Sequence, residues 1–193
     1  MKKIILGISI LYLKDLVYEF KKIFMCFFFV FFLSILQSYS AEKPRWVAQP
    51  IYVYVSDLNY YSDLMKNAFK EWEEVSDGLV RFKFVNKESN ANINVDFVNQ
   101  VTNCNSSLAV GCARMRLKAG HFYNCNLEIA LKQKMGNEYR QIENIYGVML
   151  HEIGHALGLG HSDNNKSIMY PYDLPTLQNL TEEDLSLLYR KYY

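Results

Sequence analysis

Four residues in one short run could act together: His151, Glu152, His155 and His161. Residues four apart on a helix share a face, so His151 and His155 can turn their ring nitrogens toward one point. Gly158 comes three residues after His155, where a left-handed backbone can end the helix and bring His161 back to that point; Gly160 is expected to ease the same turn. Three converging imidazoles suit a divalent metal ion, and zinc in particular. It binds histidine nitrogen at about 2.0–2.1 Å and, in catalytic sites with three protein ligands, keeps a fourth position for water. Glu152 follows the first ligand and would stand beside that water. A carboxylate there can take a proton as the water attacks a carbonyl group and pass it to a departing amine. The chemistry expected is hydrolysis of a peptide bond without a covalent intermediate.

These residues need a scaffold, and the rest of the sequence supplies its parts. Residues 51–56, IYVYVS, have the composition of a strand. From Tyr61 to Val75 the period becomes helical, with Tyr61, Leu64, Met65, Ala68, Trp72 and Val75 on one face, a stripe that must be buried against something, most simply a sheet. Residues 79–85 alternate Val80, Phe82 and Phe84 with Arg81 and Lys83, and residues 92–98 alternate Ile93, Val95 and Phe97 with Asn94 and Asp96, so each predicts a strand. Residues 99–119 carry Asn103, Asn105, Ser106, Ser107 and Gly111 among short apolar pieces. They predict a loop containing an edge strand at 108–114, with the next strand inside 120–131. Residues 137–143 lead into the helix of the histidine run, which Ile145, Val148 and Met149 can pack inward. Near the C-terminal end Thr181 predicts an N-cap, Glu182, Glu183 and Asp184 suit the positive end of a helix, and Leu185, Leu188 and Tyr189 are its inward candidates.

The run from His151 to Ser162 meets the pattern HExGHxLGLxHS at every fixed position, and it resembles the matrixin family of the metzincin clan of zinc peptidases. The resemblance implies a catalytic zinc on His151, His155 and His161, with Glu152 as general base. Residues 167–171, SIMYP, are similar to the family's Met-turn, which implies Met169 as a packing support beneath the ligands and Pro171 beside the pocket for the residue after the scissile bond. Gly158 belongs to the same structural support. The likeness extends to Ala68-Phe69-x-x-Trp72 in the first helix and Leu180-Thr181-x-x-Asp184 before the last, which is expected to brace the Met-turn from behind.

The fold implied is α+β: a metzincin-type catalytic domain with a twisted, mostly parallel sheet, an antiparallel edge strand, an active-site helix and a small C-terminal lobe. Its implied substrate is a polypeptide laid extended along the edge strand, where unpaired main-chain groups offer recognition and pockets choose side chains. The chain departs from many animal members in having no histidine before residue 121. His121-Phe122 resembles one piece of their second, structural zinc site, but the other three histidines belong to the catalytic motif. One zinc is therefore expected, and calcium is left open with no residues to support it. Tyr172 and Asp173 depart from the segment that commonly follows the Met-turn. No inhibitory propeptide with a cysteine is recognised between the leader and Trp46.

Composition bounds the alternatives. The 193 residues carry 21 basic and 20 acidic side chains and are 50% hydrophobic, which fits neither a disordered chain nor one that binds nucleic acid through bulk charge. The apolar run at 23–36 follows Lys21 and Lys22 and precedes Ser38-Tyr39-Ser40, the pattern of a signal peptide cleaved before Ala41, although the region ahead of it is unusually long. Residues 1–40 are thus expected to be a leader and 41–193 a single secreted or extracytoplasmic domain, monomeric, with membrane association only if residues 23–36 stay uncleaved as an anchor. Beyond the leader lie Cys104, Cys112 and Cys125, enough for one disulfide and one free thiol, with the pairing open. The reading to be excluded is an inactive secreted domain that uses zinc for stability and binds proteins.

Overall fold

The computed structural model describes residues 20–25, 27–28, 43–102, 104, 108–133, 138–172 and 179–193. The chain divides into two units, Met1–Glu42 and Lys43–Tyr193. In the first, the described residues are helical and exposed; the expected leader lies otherwise outside the described residues, as does Asp173. No helix among the described residues is long and apolar enough to cross a membrane.

The second unit is an α+β domain. Its elements run β1 (Ile51–Val55), α1 (Tyr60–Val75), β2 (Phe82–Phe84), β3 (Ile93–Val98), β4 (Gly111–Lys118), β5 (His121–Ala130), α2 (Ile142–Ala156) and α3 (Glu182–Tyr192), with a 3-10 turn at Glu88–Asn90. The sheet order is β2-β1-β3-β5-β4. The pairs β1–β2, β1–β3 and β3–β5 are parallel, and β4 runs antiparallel to β5. The parallel strands alternate as their sequences predict: Ile51, Val53, Ile93 and Val95 are buried, while Tyr52 and Asp96 are exposed.

Helix α1 lays Met65, Ala68, Phe69 and Trp72 into the core. Full burial of a side chain the size of Met65 or Phe69 is worth about 1.5–3 kcal/mol. The inward face is rotated from the expected one, since Phe69 is fully buried and Val75 at the last turn is exposed. Trp72 also donates its Nε1 proton to the carbonyl of Leu150, 3.1 Å away, which fixes α1 against the middle of α2. Ile145, Met149, Leu150 and Ile153 bury the other side of that contact, so α2 is held along its length by the core.

The edge strand differs from expectation. It begins at Gly111 and continues to Lys118, where the sequence placed it at 108–114. Its partner continues it: Ala113, Met115 and Lys118 pair with Leu127, Cys125 and His121 across a hairpin that turns through Ala119 and Gly120, both with positive φ. Met115 and Leu117 alternate with Arg114, Arg116 and Lys118 through the stretch that the expected strand left out, and pairing across a two-residue turn holds it extended. In α3, Leu188 and Asp184 are the buried residues, whereas Tyr189 is exposed and stacks on Tyr193, so the inward face is again turned from the expected one.

Candidate metal centre

Helix α2 delivers the first half of the site. His151 and His155 lie one turn apart near its C-terminal end, and the bend that follows returns His161 to them. The three side chains offer ring nitrogens that all lie within 4.8 Å of one another. The bend is a Schellman turn: Gly158 N–H donates to His155 O at 2.8 Å and Leu159 N–H to Gly154 O at 2.9 Å, with Gly158 at φ 89°. That conformation is why glycine stands at 158. Gly160 is not among the residues with positive φ, so the turn does not depend on it, contrary to expectation.

Hydrogen bonds fix which nitrogens face the common point. His151 Nδ1 lies 2.6 Å from Ile168 O, and His155 Nδ1 lies 2.9 Å from Leu159 O. Carbonyl oxygens only accept, so both Nδ1 atoms carry the proton and each Nε2 presents a lone pair inward. His155 Nε2 and His161 Nε2 are 3.2 Å apart. Two ligands on a tetrahedral zinc at about 2.0–2.1 Å stand about 3.3 Å from each other, so this spacing suits one ion between them. Burial, reinforced by the neighbouring His155 imidazole, pulls His151 down to about 4, and burial also lowers His155. The rings are therefore neutral at physiological pH, the form that binds metal. Donor chemistry, tautomers and spacing all fit zinc.

Glu152 is 6% exposed, and its Oε2 has no hydrogen-bond partner among the described residues. Burial pushes its carboxyl up to about 8. An unpaired buried carboxylate is costly, and a nearby dication and a bound water are the partners that would relieve it. Gly111 stands against this side chain: a Cβ there would overlap Glu152 Oε1, Cγ and Cδ. The edge strand and the carboxylate thus touch directly. Nothing in the spacing of the sequence marked Gly111 as part of the site.

Met169, fully buried, sets its sulfur against Gly154, where any side chain would collide with it. The turn that carries Met169 is tied to α3. Asp184 is 0% exposed and accepts from Ser167 Oγ, from Ile168 N–H at 3.1 Å and from both Thr181 N–H at 2.9 Å and Thr181 Oγ at 2.6 Å. The same Asp184 completes the capping box with Thr181, the predicted N-cap. Since Ile168 O receives His151 Nδ1, a buried carboxylate reaches a ring nitrogen through the backbone of one residue. Ser162 adds a second tie, through its N–H to Met169 O at 2.9 Å and its Oγ to Glu183 at 2.6 Å. Asp184 was legible as a helix-start residue, not as the anchor of the turn.

The site opens into a cleft of about 630 Å³ whose walls include Val110, Ala113, Val148, Tyr170 and Pro171. Cys104 and Cys112, which line it, form a disulfide, which settles the open pairing; Cys125 is a buried free thiol in β5. His121 opens β5 opposite Lys118 and is outside the histidine group.

The sequence matches the family model described as Matrixin over residues 53–192. It is 29% identical to a matrix-metalloproteinase-type protein of Trichoplusia ni ascovirus 2c over 153 residues, which are 69% of this chain and 29% of that protein. It is 44% identical to human matrix metalloproteinase-26 over 52 residues, 25% of this chain and 20% of that one. The chain thus spans less than a third of the length of these curated relatives. Among solved structures the archaemetzincin of Methanopyrus kandleri superposes with a TM-score of 0.51 at 13% identity, covering 75% of this chain and 98% of the other, a likeness of fold.

Proposed function

This chain belongs to the matrixin family, and from that premise we propose that it is a secreted zinc endopeptidase that cuts polypeptides laid along strand β4. The observation that carries the proposal is the buried Glu152 carboxylate beside three inward-facing imidazoles. His151, His155 and His161 would hold the ion. Bound there, zinc supplies a Lewis acid that polarises a carbonyl and acidifies water. Glu152 accepts the proton of the attacking water and delivers it to the leaving amine, a shuttle its position next to His151 supports. Strand β4 stands last in the sheet order, so its outer edge can pair with the backbone of an extended substrate. Because Gly111 on that strand packs against Glu152, pairing would register the scissile bond against the base. Met169 and Gly158 support the ligands from behind, and Pro171 borders the pocket beyond the scissile bond.

Export, with cleavage before Ala41, agrees with the Cys104–Cys112 disulfide, which forms in oxidising compartments. N-terminal sequencing of secreted protein checks it, with Ala41 expected as the first residue. Peptide-bond turnover is tested on purified protein with a peptide library. Cleavage that stops after chelation and returns with zinc establishes the peptidase; zinc bound at one per chain with no cleavage of any peptide identifies a zinc-stabilised binding domain instead.

A further inference from the structure

The bend between His155 and His161 is gripped from outside by side chains that enter from distant parts of the sequence. Helix α2 ends with its carbonyls buried, and buried carbonyls need donors. Those of Ile153, Gly154 and His155 are served by backbone amides of the bend itself. The next two are not. Trp46 Nε1 donates to Ala156 O at 2.7 Å, and Tyr192 Oη donates to Leu157 O at 3.2 Å. The two donors are themselves joined, because Arg45 donates to Tyr192 O at 2.5 Å. Phe122 closes the cage: its ring lies 5.8 Å from that of Trp46, its N–H donates to Arg45 O at 3.1 Å, and a Cβ on Gly158 would stand 2.6 Å from its Cε2.

We infer that Trp46 and Tyr192 are positioning residues for the metal site, forming a clamp that holds the Ala156–Gly158 bend and through it the inward pose of His161. The inference rests on the reading of the three histidines as zinc ligands. The ligands on α2 are set by helix geometry. His161 has no such frame, and Leu159, whose carbonyl fixes the His155 tautomer, lies in the same bend. Loosening the bend therefore disturbs two ligands at once, one in direction and one in protonation.

The test uses Trp46→Phe and Tyr192→Phe, singly and together, which delete one donor each; Tyr192→Phe keeps its ring, whereas Trp46→Phe also trades the indole for a smaller phenyl. Tyr189→Phe serves as the control, since that hydroxyl donates to Ser76 O, away from the bend. Two readouts need no turnover: zinc affinity by competition with a chromophoric chelator, and amide hydrogen exchange at Gly158 and Leu159 in chelated protein. Outer contacts to metal ligands are worth about 10- to 100-fold in affinity, so the double variant should lose zinc affinity in that range and exchange faster at both amides, while Tyr189→Phe stays within twofold. Zinc affinity within twofold of the parent in a folded double variant overturns the clamp, whatever happens to exchange. Should the double variant not fold, Tyr192→Phe alone gives the reading, about threefold or more against unchanged. If the parent binds zinc yet cleaves nothing while the double variant loses zinc affinity, the proposed function fails and the clamp stands; if the parent cleaves and the variants bind zinc normally, the reverse holds.

Discussion

His151, Glu152 and His155 ride on α2, whereas His161 sits in an irregular bend followed by the Met-turn, and the two groups owe their positions to different kinds of contact. On the helix, spacing does the work and a continuous apolar face resists displacement. In the bend and turn, individual hydrogen bonds accepted by Asp184 and Glu183 and donated by Trp46 and Tyr192 decide the geometry. The helical half should lose most when its own functional groups change and much less when a neighbour does. The other half should be sensitive at residues that touch neither metal nor substrate.

The largest effect is expected from Glu152→Gln. It keeps the shape and removes the base, so peptide turnover should fall by about 10²–10⁴-fold while zinc stays bound at one per chain, measured by kinetics and metal analysis on the same preparation. Turnover near that of the parent would remove Glu152 from the reaction. Asp184→Asn probes the opposite half. It turns an amide toward donors that now meet a carboxylate, and should cost about 2–3 kcal/mol of stability with weaker zinc binding, seen by denaturant unfolding and chelator competition. An unchanged midpoint would mean that the Met-turn holds itself.

A pH dependence separates the groups electrostatically. The Glu152 carboxyl, raised from 4.5 to about 8 by burial, keeps its proton in the fold where the unfolded chain has released one. Stability of chelated protein therefore declines as pH rises through that window. Below about 6.5, His151, lowered to about 4, and His155 act with opposite sign, since unfolded imidazoles take up protons that the folded ones refuse. Between about 6.5 and 8 the carboxyl acts alone among these three, and chelated protein should lose about 2 kcal/mol, a slope that vanishes in Glu152→Gln. A flat profile in the parent would show that the carboxyl is already ionised. The smallest effect is expected at Gly111→Ala, where the new methyl displaces Glu152 but leaves the ligands alone; kcat should drop about tenfold, equivalent to about 1.4 kcal/mol, with zinc affinity unchanged.

The same contrast explains what could be read from the sequence. His151, Glu152, His155 and Gly158 declare themselves because a helix and its stop obey fixed offsets, and Thr181 declares itself as a cap for the same reason. The parallel strands follow from alternation at Ile51, Val53, Ile93 and Val95. Although Met115 and Leu117 alternate with Arg114, Arg116 and Lys118, a local strand signal for its far half, strand β4 was shifted because its start at Gly111 is set by pairing with β5, a long-range cause. Asp184 as anchor, Gly111 as neighbour of Glu152, Trp46 as a donor and the Cys104–Cys112 pair share that origin: each depends on which segments meet in space. Phe69 and Val75 exchanged places because the rotation of α1 about its axis is set by what it packs on.

The chain has two tryptophans, and both indole N–H groups end on carbonyls of α2, Trp72 on Leu150 and Trp46 on Ala156. Tryptophan emission from this domain therefore comes from two indoles hydrogen-bonded to the helix that carries the histidines. A change in their intensity or wavelength would follow the condition of that helix in real time, without any attached dye.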